Sequence, residues 1–175
     1  FPELSVLQMD AHADLRDRYL GTEYGQACVM RRISELCPIT QVGIRSLSWE
    51  EKQFLTQNKL TPFYMPNLAS DPTCTKRIVE SLTQEVYITL DVDVLDPSIM
   101  PAVGTPEPDG MHWQQVLNII KTVALHKHII GFDLMEFCPR EGPASCAFLL
   151  AKLAYKLIGY AIPQRQADIQ HSPEQ

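Results

Sequence analysis

The sequence predicts an α/β fold of three layers, a parallel sheet with helices on both faces. Three observations carry that expectation. Short apolar runs bounded by turn residues alternate with longer stretches of helical periodicity. The runs are apolar at consecutive positions rather than every second one, as in strands buried on both faces. A helix pattern follows each run, which is the connection that parallel strands need.

The strand candidates are residues 5–9, 40–44, 60–65, 86–90 and 129–134. Helix candidates lie between and after them, at 24–37, 48–58, 74–82, 113–125 and 143–157. In the first helix candidate Ala27, Met30, Ile33, Ser34 and Cys37 recur at helical spacing. The second begins with Ser48 and has Glu51 three residues on, a capping box. With no internal repeat and no low-complexity linker, residues 1–160 are expected to form one domain. Residues 161–175 are expected to be a polar tail with a solvated His171.

Composition narrows the function. The 175 residues are 45% hydrophobic and 21% charged, as in an ordinary globular protein. A net charge of −6, without a basic run, argues against nucleic acid or an anionic membrane as partner and suits a small cation. No apolar run approaches the roughly 20 residues of a membrane helix. The first ten residues, FPELSVLQMD, lack the basic region and cleavage pattern of a signal peptide. A chain whose first element is a core strand is expected to continue upstream. Cys28, Cys37, Cys74, Cys138 and Cys146 are odd in number and form no C-x-x-C pair, so reduced thiols in a cytoplasmic protein are expected.

Two clusters carry chemistry. Asp10-Ala11-His12-Ala13-Asp14 ends the first strand, and Asp91-Val92-Asp93-Val94-Leu95-Asp96-Pro97 ends the fourth. In an extended segment Asp10, His12 and Asp14 point the same way. Parallel sheets hold ligands at the carboxyl ends of their strands. Two adjacent strands delivering these clusters to one crevice would crowd carboxylates that repel each other unless a cation joins them. Oxygen-rich donors with one imidazole suit Mn²⁺ better than structural zinc. A single D-x-D is by itself more often a cap or turn. A calcium loop is excluded, because Asp96 and Ala102 stand where that loop needs Gly and Glu.

These residues resemble the ureohydrolase (arginase and agmatinase) family. Asp10 to Asp14 is similar to its D-A-H-x-D signature, Asp91 to Pro97 to its D-x-D-x-x-D-P, and Pro101 to Pro106 to its P-x-x-G-T-P. The stretch Gly131 to Pro139 resembles its third signature, which ends in a substrate-binding Glu. The loop from Asp10 through Asp17, followed by Ala27 to Arg32, resembles agmatinases most. The resemblance implies an arginase/deacetylase-like sheet, incomplete at its N-terminus, with two Mn²⁺ ions. Asp10 and Asp91 would bridge the metals, Asp14 would bind one, and His12 and Asp93 the other. The implied reaction is hydrolysis of a guanidino compound by a metal-bridging hydroxide, agmatine giving putrescine and urea. Asp14 would carry the proton to the leaving amine, and Glu136 would pair with the guanidinium. Gln26 and Thr105 complete the implied substrate-binding set, and a homo-oligomer is expected.

The pattern breaks in two places. The family's upstream G-G-D-H, whose His is the sixth metal ligand, does not occur, so the second metal is expected to bind weakly. The strand at 5–9 is then expected to be an exposed edge. Agmatinases resembling this chain read Y-S-H-A where it reads Tyr24-Gly25-Gln26-Ala27, and Gln26 cannot shuttle protons. Asp109 stands where the family has Gly. The rival expectations are a non-catalytic homologue that keeps the fold and partial metal binding, and a single-zinc amide hydrolase of the same architecture.

Overall fold

Val, Leu and Met at consecutive positions bury β1 (Leu4–Met9) on both faces, and β1 lies at the centre of the sheet. The computed structural model describes residues 1–170. β2 (Ile39–Ile44), β3 (Phe63–Tyr64), β4 (Glu85–Asp91) and β5 (His128–Met135) complete a five-stranded sheet in the order β3-β2-β1-β4-β5. All four pairings are parallel. The chain lays β2 and β3 to one side of β1, then returns to place β4 and β5 on the other. The expectation of an exposed edge at 5–9 is therefore wrong. β1 pairs with both β2 and β4, as its two apolar faces favour, and the outer strands are β3 and β5.

The helices are α1 (Val29–Ser34), α2 (Trp49–Gln57), α3 (Met65–Ser70), α4 (Cys74–Ser81), α5 (Trp113–His126) and α6 (Ser145–Gln170). One face of the sheet carries the larger core. There Leu7, Met9, Ile88 and Leu90 meet Ile78 of α4, Ile120 and Val123 of α5, and Leu153 and Leu157 of α6. On the other face Val6 and Ile44 meet Met30 of α1 and Leu55 of α2. Tyr87 of β4 packs at the margin of this second layer. Tyr87, Thr89 and Asp133, on the same face of β4 and β5, remain partly exposed.

Four local departures from expectation have physical causes. Residues 60–65 hold only the two-residue β3, because Pro66 suits the start of a helix and α3 begins at Met65. Residues 24–37 fold as a 3-10 turn, Gln26–Cys28, before the short α1, whose first N–H groups reach back to the Asp14 carbonyl. Trp49, a large aromatic of the kind that usually packs, is 75% exposed at the start of α2. α6 runs beyond 157 to Gln170 and takes in residues 161–170, while the remainder of the expected tail, with His171, lies outside the described residues. Contrary to the expectation that no run is that long and apolar, α6 over Ser145–Ile162 has the length and composition to cross a membrane. It carries Lys152 and Lys156 and packs Cys146, Leu153 and Leu157 into the core. The Ser48–Glu51 capping box is present, and all five cysteines are free thiols.

Candidate metal centre

Met9 and Leu90 are register partners, so the residues that follow them, Asp10 and Asp91, leave the sheet side by side. They do so between β1 and β4, the point where strand order reverses and where open parallel sheets bind ligands. Each of these carboxylates accepts a hydrogen bond from the N–H two residues on. Asp10 Oδ1 takes it from His12 at 2.6 Å, and Asp91 Oδ1 from Asp93 at 2.9 Å. The turn reading of D-x-D is thus correct here too, since Asp91 caps a 3-10 turn, Val92–Val94. The same turns draw the i+2 side chains together. His12 Nδ1 lies 2.9 Å from Asp93 Oδ2 and 3.6 Å from Asp10 Oδ1. One ligand atom from each of Asp10, His12 and Asp93 lies within 4.8 Å of the others. The Ala11 N–H, donated to Asp93 Oδ1 at 3.1 Å, ties the two turns.

All the residues singled out from the sequence line one cavity of about 570 Å³: Asp10, His12, Asp14, Gln26, Asp91, Asp93, Thr105 and Glu136. Asp10 and Asp93 are buried to 3% and 1% exposure, whereas Gln26, Thr105 and Glu136 are exposed at its wall. Asp14 and Glu136 both have left-handed backbone, with φ of 53° and 59°. Such conformations are uncommon outside glycine and gather at ligand-binding positions. Asp109, standing where the family has Gly, also has a φ of 59°.

The site's charge is unbalanced. Burial, then repulsion from Asp10 and Asp93, pushes the Asp91 carboxyl up to about 9. Burial, then Asp10, pushes Asp14 up to about 8. Burial also raises Asp10, to about 6, against the hydrogen bond to His12. Pairing with Asp10 and then Asp93 lifts His12 to about 10. Burial is the largest influence on Asp93 and would raise it, but the His12 pairing and the Ala11 N–H together hold it below the usual carboxylate range. At neutral pH this cluster holds protons that a divalent cation would displace.

The donors fit such a cation. Asp10, His12 and Asp93 form an oxygen-rich group that could hold a metal ion, with Asp14 and Asp91 on the same cavity wall. Asp93 Oδ2 is buried and has no hydrogen-bond donor, since its approach to His12 Nδ1 is an ion-pair distance without hydrogen-bond geometry.

The sequence reading missed the residues behind the donors. Gln8 Nε2 donates to Asp10 Oδ2 at 2.8 Å, and Gln41 Nε2 donates to Gln8 Oε1 at 2.6 Å and to the Ala13 carbonyl at 2.7 Å. A signal for this was available, because Gln8 and Gln41 interrupt apolar strands and become register partners. Glu51, noticed only as a cap, also accepts from the Leu15 N–H at 2.9 Å and so secures the segment after Asp14. Arg45 and Glu107 gave no signal. Away from the centre, His112 is the N-cap residue of α5, His126 Nδ1 sits on the Thr122 carbonyl, and Arg32 pairs with Asp17, Glu23 and Glu35.

Residues 1–159 match the arginase family. The chain is 41% identical to an N(1)-aminopropylagmatine ureohydrolase from Synechocystis sp., over 89% of this chain and 52% of that protein. It is 34% identical to an agmatinase from Pyrococcus horikoshii, over 91% of this chain and 58% of that one. The solved agmatine ureohydrolase of Thermoplasma volcanium superposes with a TM-score of 0.83 at 31% identity, covering 97% of this chain and 58% of that structure. The chain spans about half the length of the curated relatives it matches.

Proposed function

Because this chain belongs to the arginase family, we propose that it is part of a manganese-dependent ureohydrolase of agmatinase type. The observation that carries the reading is the convergence of five metal donors and Glu136 on one cavity at the β1–β4 switch point. Asp10, His12, Asp91 and Asp93 would hold one Mn²⁺, and Asp10, Asp14 and Asp91 the second. Bound there, the cations supply Lewis acidity and a hydroxide nucleophile at neutral pH.

The chain's own residues would do the rest. Glu136, reaching from the end of β5, offers its carboxylate to a guanidinium, a charge-assisted and planar match. Asp14 would pass a proton to the leaving amine. Thr105 and Gln26 form wall rather than acid or base, since neither titrates near pH 7. The net negative lining favours a substrate with further positive charge. Agmatine, yielding putrescine and urea, fits that description, and so does the longer N(1)-aminopropylagmatine named for the Synechocystis relative. The same reading extends to a cytoplasmic homo-oligomer without nucleic-acid or membrane partners, supported by the acidic composition and free thiols.

The test is urea release from both guanidino compounds by the Mn²⁺-loaded protein. Urea from either supports the proposal, and no urea with Mn²⁺ shown bound would sink it. The second outcome would favour a non-catalytic homologue, a reading that Gln26 in place of a titratable shuttle supports.

A further inference from the structure

We propose that Glu107 is a positioning residue for His12, and that Arg45 holds it in place. The inference rests on the metal-site reading above and adds to it a residue outside the donor set. The two nitrogens of the His12 ring face different groups. Nδ1 is 2.9 Å from Asp93 Oδ2, and Nε2 is 3.7 Å from Glu107 Oε1. The ring is thus spanned by carboxylates at both ends, one within the donor cluster and one from a loop 14 residues further along the chain. A carboxylate on the far nitrogen of a metal-binding imidazole fixes its orientation and leaves the near nitrogen as the ligand atom. Glu107, at ion-pair distance from Nε2, is placed to take that role and leave Nδ1 as the ligand atom.

Glu107 stays there because its backbone is tethered. Arg45, one residue past β2, donates from Nη2 to the Glu107 carbonyl and to the Asp93 carbonyl, each at 2.8 Å, and from Nε to the Pro108 carbonyl at 2.8 Å. One planar guanidinium therefore locks the peptides that carry the two carboxylates on either side of His12. A lysine, with a single nitrogen, cannot span all three acceptors in that geometry. The loop is also fixed beyond Pro108. Gly110 N–H donates to Asp96 Oδ2 at 3.0 Å, and a Cβ on Gly110 would lie 2.5 Å from Asp96 N, so the chain returns closely onto the turn after Asp93.

The experiment is a Mn²⁺ titration of the full chain with free Mn²⁺ read by electron paramagnetic resonance, alongside melting of the metal-free proteins. Glu107→Ala is expected to weaken Mn²⁺ binding about 10–100-fold, the usual effect of removing such a partner. Glu107→Gln keeps an oxygen acceptor for Nε2–H and is expected to recover most of the loss. Glu107 is a half-buried loop side chain, so metal-free melting should be alike in all three. Arg45→Lys should weaken binding less, and combined with Glu107→Ala it should add nothing further, because both act through one contact. Unchanged affinity in Glu107→Ala, with the parent binding Mn²⁺, overturns the proposal. So does equal loss in the Ala and Gln variants, and an additive double variant removes Arg45 from it. If the parent itself binds no Mn²⁺, the metal-site reading fails first and this inference falls with it.

Discussion

The seam between β1 and β4 and the flank formed by β5 and α6 are built from one sheet but finished differently. At the seam Asp10, Asp91 and Asp93 are buried, and both oxygens of Asp10 accept hydrogen bonds from protein groups. At the flank Glu136 is exposed, Met135 is 49% exposed, and α6 turns Phe148 (81%), Tyr155, Ile158 and Ile162 outward at helical spacing. The seam needs only two turns and one strand pairing to assemble its charges. The flank presents Glu136 from a strand with one neighbour. Metal binding and substrate binding should therefore depend on different parts of this molecule and be separable by mutation.

The largest expected effect tests that separation. Asp91→Ala should abolish Mn²⁺ binding, whereas Glu136→Ala and the remote His126→Ala should leave it within about twofold; these changes are measured by calorimetric titration, and the comparison fails if Glu136→Ala weakens the metal as Asp91→Ala does. Next comes pH. Asp91, Asp14 and Asp10 have folded values of about 9, 8 and 6 against an ordinary 3.8. Such carboxyls hold protons in the folded state that the unfolded state has already lost, so stability falls as pH rises through that window. His12, raised from 6.5 to about 10, acts in the same direction, contributing below 6.5 and losing that contribution as pH rises. The metal-free melting temperature should decline from pH 5 to 9, and saturating Mn²⁺ should flatten the decline. A metal-free profile rising over that range would show that the seam does not titrate as a unit.

Within α6 the two faces should differ in stability. Leu153→Ala, in the core, should cost about 2–5 kcal/mol in urea unfolding, as buried leucines do. Phe148→Ala should stay within about 0.5 kcal/mol. Comparable losses would mean that the outward stripe is already packed in solution. The smallest effect sharpens the substrate side. Gln26→His should raise kcat about tenfold, below the ceiling for a fully engaged proton shuttle. No change would remove that loop from the chemistry.

Most of the fold was legible because its signals are local. Consecutive apolar residues marked β1, β4 and β5, and the Ser48–Glu51 pair marked the start of α2. The errors arose where neighbours compete. Met65-Pro66 read as the end of a strand, and residues 24–37 read as one helix although Gly25 and the Asp14 carbonyl shape them as a 3-10 turn and a short helix. The two acidic clusters were legible for the same local reason, since D-x-H-x-D and D-x-D carry their own turns. Gln8, Gln41, Arg45 and Glu107 escaped because nothing along the chain joins them; each matters through a partner at least two residues and as many as 95 positions away.

By itself the sequence determined the sheet class and the two acidic clusters that end β1 and β4, because periodicity and i, i+2 spacing act over a few bonds. Only the tertiary structure decided that β1 is central rather than an edge. It also decided that Asp10 and Asp91 stand side by side, and that an arginine on a third segment fixes the loop facing His12. Strand order and register depend on which apolar faces bury together, and that choice is made by the whole chain at once.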